Sequence, residues 1–249
     1  MKKLFCIAAL ALLTLGIASC ERENETNNDN TSNTPSNPST SNDTTLRARQ
    51  ETIGEWVDLG LSVQWYSVNL GATAPEQYGD HYMWGEVWPR SIYSWATYSY
   101  GDREGENGNY TYTLYKYNTS ASCGTVDSLI TLQPSDDAAT AVLGNGARIP
   151  TIVECQELLH NTSANLTTVN GITGYEFIAN NGNSIFLPLA GIRDGNSFDG
   201  VFFGSYWSSS LQTANPDEAF AIGLSHDRYP FAGSTTRAVG RSVRPVRQN

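Results

Sequence analysis

The stretch that most constrains this chain is Asn145-Gly-Ala-Arg-Ile-Pro-Thr-Ile-Val-Glu-Cys-Gln-Glu-Leu-Leu159. It spells a helix start. Thr151 can cap the helix through its hydroxyl, and Glu154, three residues on, can reach back to the Thr151 amide. Pro150 biases Ile149 toward an extended backbone. Ile152, Cys155, Leu158 and Leu159 then recur at helical spacing and form one apolar stripe. The flanking chain reads as strands and turns, so a sheet is expected to pack on this helix. Arg148, Thr151 and Glu154 are accordingly expected to be structural.

A shorter helix is expected over Ser135–Ala141, capped by Ser135, with Asp136 and Asp137 at its positive end. Val57–Trp65 reads as two short strands with a turn at Gly60. Tyr78–Glu86 is dense enough in apolar residues for a buried strand. Gly174–Ala179, Asn181-Gly182 and Ser184–Ala190 form the clearest hairpin, because Asn-Gly between apolar runs favours a tight turn. Pro188 places the return strand at an edge or bulge. Tyr206–Ser210 around Trp207 reads as a core strand, followed by Glu218–Leu224 and Ser242–Val246. Strands, two helices, then strands predict an α+β domain, with the helices on one side of an antiparallel sheet.

The N-terminus reads as an address. Lys2 and Lys3 precede an apolar run from Leu4 to Ile17, at roughly fourteen residues too short to span a bilayer. It ends in Ile17-Ala18-Ser19-Cys20, which resembles the lipobox of bacterial lipoprotein signal peptides. The resemblance implies a signal peptide over 1–19, lipidation of Cys20 with fatty acyl chains such as palmitate, and an outer-membrane, cell-surface location. Glu21, Glu23 and Glu25 resemble the surface-export signal of Bacteroidota lipoproteins. Residues 20–50 are Asn-, Thr-, Ser- and Pro-rich, with too little apolar surface to order, and read as a tether. The remainder, 51–249, is one domain. Asp43-Thr44-Thr45 and Asp127-Ser128-Leu129 resemble a short O-glycosylation motif of Bacteroidota.

Cleavage would remove Lys2 and Lys3 and no acid, leaving 13 basic against 25 acidic residues. That balance argues against nucleic acid as a partner. Of four cysteines, Cys6 would leave with the signal peptide and Cys20 would be lipidated. Cys123 and Cys155 could pair in an oxidising compartment; the favoured reading is two free thiols, with Cys155 a small apolar residue on the helix stripe.

From Trp84 to Tyr117 the chain is densely aromatic around a polar, Gly-rich loop at Gly101–Asn109. The Tyr98/Tyr100 and Tyr110/Tyr112/Leu114 spacings suggest extended segments facing each other across that loop. Two readings stand: a platform of Trp88, Tyr93, Trp95 and Tyr98 for a sugar, with Arg193 and Asp194 nearby, or rings covering the core of a loop-rich domain.

Val57–Trp65, Asn69-Leu-Gly-Ala72, Tyr78-Gly-Asp80 with Trp84-Gly-Glu86, Arg148-Ile-Pro-Thr151, Tyr206-Trp-Ser-Ser-Ser210 and Ser242-Val-Arg-Pro-Val246 occur in an order that resembles the Fibrobacter succinogenes major paralogous domain. That family is similar to the C-terminal domain of Legionella collagen-like adhesins and, through Arg-x-Pro-Thr, to formylglycine-generating enzymes. The resemblance implies a C-type-lectin-like fold; Trp207, on its core strand, and Arg244, among apolar neighbours, are expected to be structural. The calcium signature of lectins is lacking: the strand reads Trp207-Ser-Ser, and Asn215-Pro-Asp217 is a loose echo of the loop. The cysteine pair of the formylglycine-generating enzymes is not matched.

Other constellations are weak. Glu157 and His160 have metal-pair spacing without a second pair, and with Glu154 read as a solvated helix face. His81, His160 and His226 sit in no nucleophile motif. Asp194–Gly200 resembles a calcium-loop fragment without its distal Glu. Arg148 and Arg244 are expected to be partly buried, with Asp136, Asp137 or Asp58 as partners. The expectation is a non-catalytic binding or adhesion module without metal or cofactor, whose partners are the membrane and a polysaccharide or a host or envelope protein. A structural envelope component is the alternative, and an enzyme the least favoured.

Overall fold

The computed structural model describes residues 53–200 and 202–249. The signal-peptide run, Cys20, the tether and the Asp43 motif lie outside the described residues. Among the described residues fifteen strands and two α-helices follow in order: β1 (Trp56–Val57), β2 (Val63–Tyr66), β3 (His81–Tyr82), β4 (Gly101–Glu106), β5 (Asn109–Leu114), α1 (Ala138–Leu143), α2 (Ile152–Asn161), β6 (Thr162–Val169), β7 (Ile172–Ala179), β8 (Ser184–Pro188), β9 (Ile192–Asp194), β10 (Ser197–Asp199), β11 (Phe203–Leu211), β12 (Glu218–Ser225), β13 (Arg228–Thr236), β14 (Arg241–Ser242) and β15 (Val246–Gln248). The architecture is α+β, mostly antiparallel and rich in loops.

The central sheet runs β13-β12-β11-β14-β3. All its pairings are antiparallel except β11 with β14, which meet in parallel at Tyr206 and Ser242. Both faces are used. Tyr206 and Ile222 pair and point into one core with Cys155, Leu158 and Leu159 of α2. Trp207 and Ala221, the next pair, point into the other core with Ala138, Ala139 and Leu143 of α1. The two helices therefore serve opposite faces, not one. A third cluster, around Met83, Trp95 and Leu114, extends the core under the aromatic stretch.

The helix start forms as its chemistry dictates. Thr151 and Glu154 make the reciprocal capping box of α2. Arg148 and Val246 exchange both backbone hydrogen bonds at 2.9 Å, and Ser209 donates to the Pro150 carbonyl at 2.7 Å, so this turn is laced into β11 and β15. Arg148 pairs with Glu154, Nη1 to Oε2 at 2.7 Å, rather than with Asp136, Asp137 or Asp58. Glu157 accepts from the Ser62 amide at 3.0 Å, so the face bearing Glu154 and Glu157 is a set of ties, not simply a wet surface. The first helix is capped by Asp137, whose Oδ1 accepts from the Thr140 amide; Ser135 lies in a preceding 3-10 turn.

The Asn181-Gly182 hairpin is β7–β8, and Pro188 sits on the edge strand of the β6-β7-β8 sheet. Its other edge, β6, follows α2 without a connecting loop and turns into β7 at Asn170-Gly171, both with positive φ. Sequence reasoning missed β6, because Thr162–Val169 is mostly Thr, Ser and Asn with only Ala164 and Leu166 apolar at the centre of one face; the Asn170-Gly171 pair was the available signal. The Gly-rich loop is also mostly strand: Gly101–Glu106 is β4, and only Asn107-Gly108 turns to β5. Within Tyr78–Glu86, only His81–Tyr82 is strand, although His81 to Glu86 are all buried. Cys123 and Cys155 are both free thiols. Among the described residues no helix is long and apolar enough to cross a membrane.

Candidate binding cleft

The aromatic stretch is core rather than platform. Tyr93, Trp95 and Tyr98 are 3%, 5% and 5% exposed. Both tyrosine hydroxyls are consumed: Tyr93 donates to the His81 carbonyl at 2.9 Å and Tyr98 to the Trp84 carbonyl at 2.7 Å. Trp95 packs edge-on to Tyr98 and tilted on Tyr112. Burial pushes Tyr98 up to about 12. Of the four rings in the platform reading, only Trp88 is exposed. Arg193 is half-buried over the Phe198 ring, and Asp194 is exposed; both lie in the β9–β10 hairpin formed by the turn-rich segment that bears the calcium-loop likeness. Among the described residues no group of His, Cys, Asp and Glu could hold a metal ion.

An open cleft of about 460 Å³ lies elsewhere, on the α1 face of the central sheet. Trp207 and Ala219 on that face are covered by the core, and Ala221 lies where core meets cleft. Beyond them the same face continues as Phe203 and Ser205 on β11, Gly223 and Ser225 on β12, and Phe231, Gly233 and Thr235 on β13, and these line the cleft. Registers Ser205↔Gly223 and Gly223↔Phe231 set the floor.

Glycine is required there. A Cβ on Gly223 would stand 2.6 Å from the Phe231 ring, which lies across the missing side chain. Glycine inside a strand marks such a close approach. Phe231 is nevertheless 49% exposed, so one side rests on the sheet while much of the ring meets solvent.

Arg241 lines the same cleft. It is 6% exposed, and its guanidinium lies 4.9 Å from the Trp207 ring centroid. Trp207 is fixed in turn by donating to the Tyr82 carbonyl at 2.7 Å. Arg241 makes one side-chain hydrogen bond, from Nη2 to Thr235 Oγ1. Nε is buried without an acceptor. Burial pushes this guanidinium down to about 10, against a smaller opposing pull from Asp194, so it stays protonated at neutral pH. At the rim Asp227 accepts from the Ser225 hydroxyl, which holds its carboxyl below the ordinary range. The cleft thus offers an aromatic face, fixed charges and unused donors.

Sequence reasoning did not single out Arg241 or Phe231. Glycines at 223 and 233 within otherwise strand-like runs were the signal that something approaches the sheet closely. A second cleft, beside the start of α2, is lined by Asp137, Arg148 and Thr151. Its polar groups are engaged: Asp137 accepts from the Thr140 and Ile149 amides, and Arg148 and Thr151 bond Glu154. No protein-family model, curated protein or solved structure matches this chain.

Proposed function

We propose that this chain is a lipoprotein of the outer membrane, anchored at Cys20 and held off the surface by its tether. Its domain, of C-type-lectin-like fold, acts as a non-catalytic binding or adhesion module for glycans. The observation that carries the reading is Phe231, a half-exposed ring laid across Gly223 in an open cleft. Pyranose rings present flat C–H faces that stack on such a ring, and their hydroxyls need donors and acceptors beside it. Ser205, Ser225 and Thr235 line the same cleft. The antiparallel, loop-rich α+β architecture with two helices supports the lectin-like assignment.

A glycan array probed with the tether-free domain tests the function. Binding of at least one glycan, abolished by Phe231→Ala without loss of fold, is the expected result; no binding to any glycan by an intact domain overturns it. Metabolic labelling with palmitate, lost in Cys20→Ala, tests the anchor. The second reading, docking of an envelope protein, is favoured by β13, which forms an open edge of the central sheet and carries exposed Tyr229. A stoichiometric partner captured on that edge, with no glycan affinity, would establish it.

A further inference from the structure

We propose that the cleft selects glycans bearing carboxylates, with Arg241 receiving the acid group of a sugar whose ring lies on Phe231. This rests on the glycan reading above and specifies its ligand class.

Taking a guanidinium charge out of water is costly unless its donors are met. Arg237 and Arg244, equally buried, meet theirs. Arg237 donates to the Tyr98 hydroxyl and to the carbonyls of Lys116, Tyr117 and Pro216. Arg244 donates to Asn69 and to three carbonyls. Arg241 has Thr235 alone, and the ion pairs among the described residues do not include it. Asp194 acts on it through space but makes no bond to it. The Trp207 ring lies under the guanidinium, 4.9 Å from ring centroid to Cζ. Nε is sealed from the cleft, but among the described residues Nη1 makes no hydrogen bond and Nη2 makes one; this planar Nη end matches the two oxygens of a carboxylate better than a hydroxyl or a lone amide. The carboxylate would belong to a ring-shaped ligand because Phe231 and Gly223 provide a flat apolar wall in the same cleft.

The test uses the mature chain in titration calorimetry. Probes are galacturonate, mannuronate and glucuronate-containing oligosaccharides, each beside its carboxyl-reduced neutral counterpart. At least one acidic probe should bind about tenfold or more tighter than its reduced form, the order expected for a charge-assisted hydrogen bond. Arg241→Met should erase that preference, and Phe231→Ala should weaken both forms. Equal binding of acidic and reduced probes by the unmodified protein overturns the inference while leaving the glycan function standing, and needs no variant to fold. A preference that survives Arg241→Met in a folded protein, judged by circular dichroism, overturns it as well. Binding of glutamate-rich peptides in place of any sugar, lost in Arg241→Met, would replace it with a protein ligand. Silence toward all glycans would overturn both readings.

Discussion

Arg241 and Arg244 stand on one short run of chain, and both are removed from water, yet they serve opposite ends. Burial pushes both guanidinium groups down to about 10. The difference is in the donors. Arg244 gives Nε and Nη2 to Asn69 Oδ1 at 2.9 and 2.8 Å, Nη1 to the carbonyls of Tyr66 and Ser67, and Nη2 to that of Phe186. It ties the end of β2 to β8, and Asn69 extends the network to the Tyr78 carbonyl. Arg241 lies on a tryptophan and bonds one hydroxyl. The comparison teaches that a buried arginine without a carboxylate can be either a staple or a receptor. Which it is depends on whether neighbouring carbonyls reach its fork.

The largest expected effect tests the staple. Arg244→Met removes five hydrogen bonds, to Asn69 Oδ1 and the carbonyls of Tyr66, Ser67 and Phe186, and should cost about 3–5 kcal/mol in urea unfolding. A loss below about 1 kcal/mol would erase the contrast.

Next comes acid sensitivity. His81 bonds the Ala190 carbonyl at 2.9 Å through Nε2, and its Nδ1 is buried without a partner. Burial, with Arg193 and Arg241 adding repulsion, pushes it down to about 4 from the ordinary 6.5. The unfolded chain therefore takes up this proton first on acidification. Stability should be flat above about pH 6.5 and fall as pH drops toward 4, by about 2–3 kcal/mol in all. His81→Gln should flatten that limb. Arg241→Met should make it shallower by removing one repelling charge, whereas Arg244→Met should leave its slope unchanged, which sharpens the comparison. Denaturant midpoints across pH 4–8 provide the measurement.

A smaller effect belongs to a third arginine that does have a carboxylate. Glu154→Gln should cost about 1 kcal/mol in thermal unfolding, because its Arg148 partner is partly exposed and solvent screens the pair. Smallest is Arg241→Met, within about 1 kcal/mol of the unsubstituted protein, since relief of an unpaired charge offsets the lost contact with Trp207. A large destabilisation there would recast Arg241 as a second staple.

The sequence disclosed what is local. Thr151 and Glu154 form their box, and Asn181-Gly182 turns its hairpin, because the atoms involved lie within a few residues. It concealed what depends on distant chain. Tyr93 and Tyr98 carry the same side chain as exposed Tyr115; packing with Met83 and Leu114, and the carbonyls of His81 and Trp84 that take their hydroxyls, make them core. Arg237, Arg241 and Arg244 likewise look alike in a run of eight residues; their roles are set by Asn69, Lys116, Phe186 and Pro216 arriving from elsewhere. The lectin-like resemblance named an expected fold but no ligand residue, so the cleft had to come from glycine-for-ring exchange on the sheet.

The first and last strands of the domain flank the same central strand: Trp65 pairs with Val57 on one side and Val246 on the other. Strand spacing then keeps Trp56 and Gln248 within roughly 15 Å. A short splice between these points could close the domain into a ring, and the ring could be reopened at the exposed Asn107-Gly108 turn without cutting a ladder. The polypeptide's order of travel is thus separable from its shape, and the cleft should survive in a circularly permuted chain.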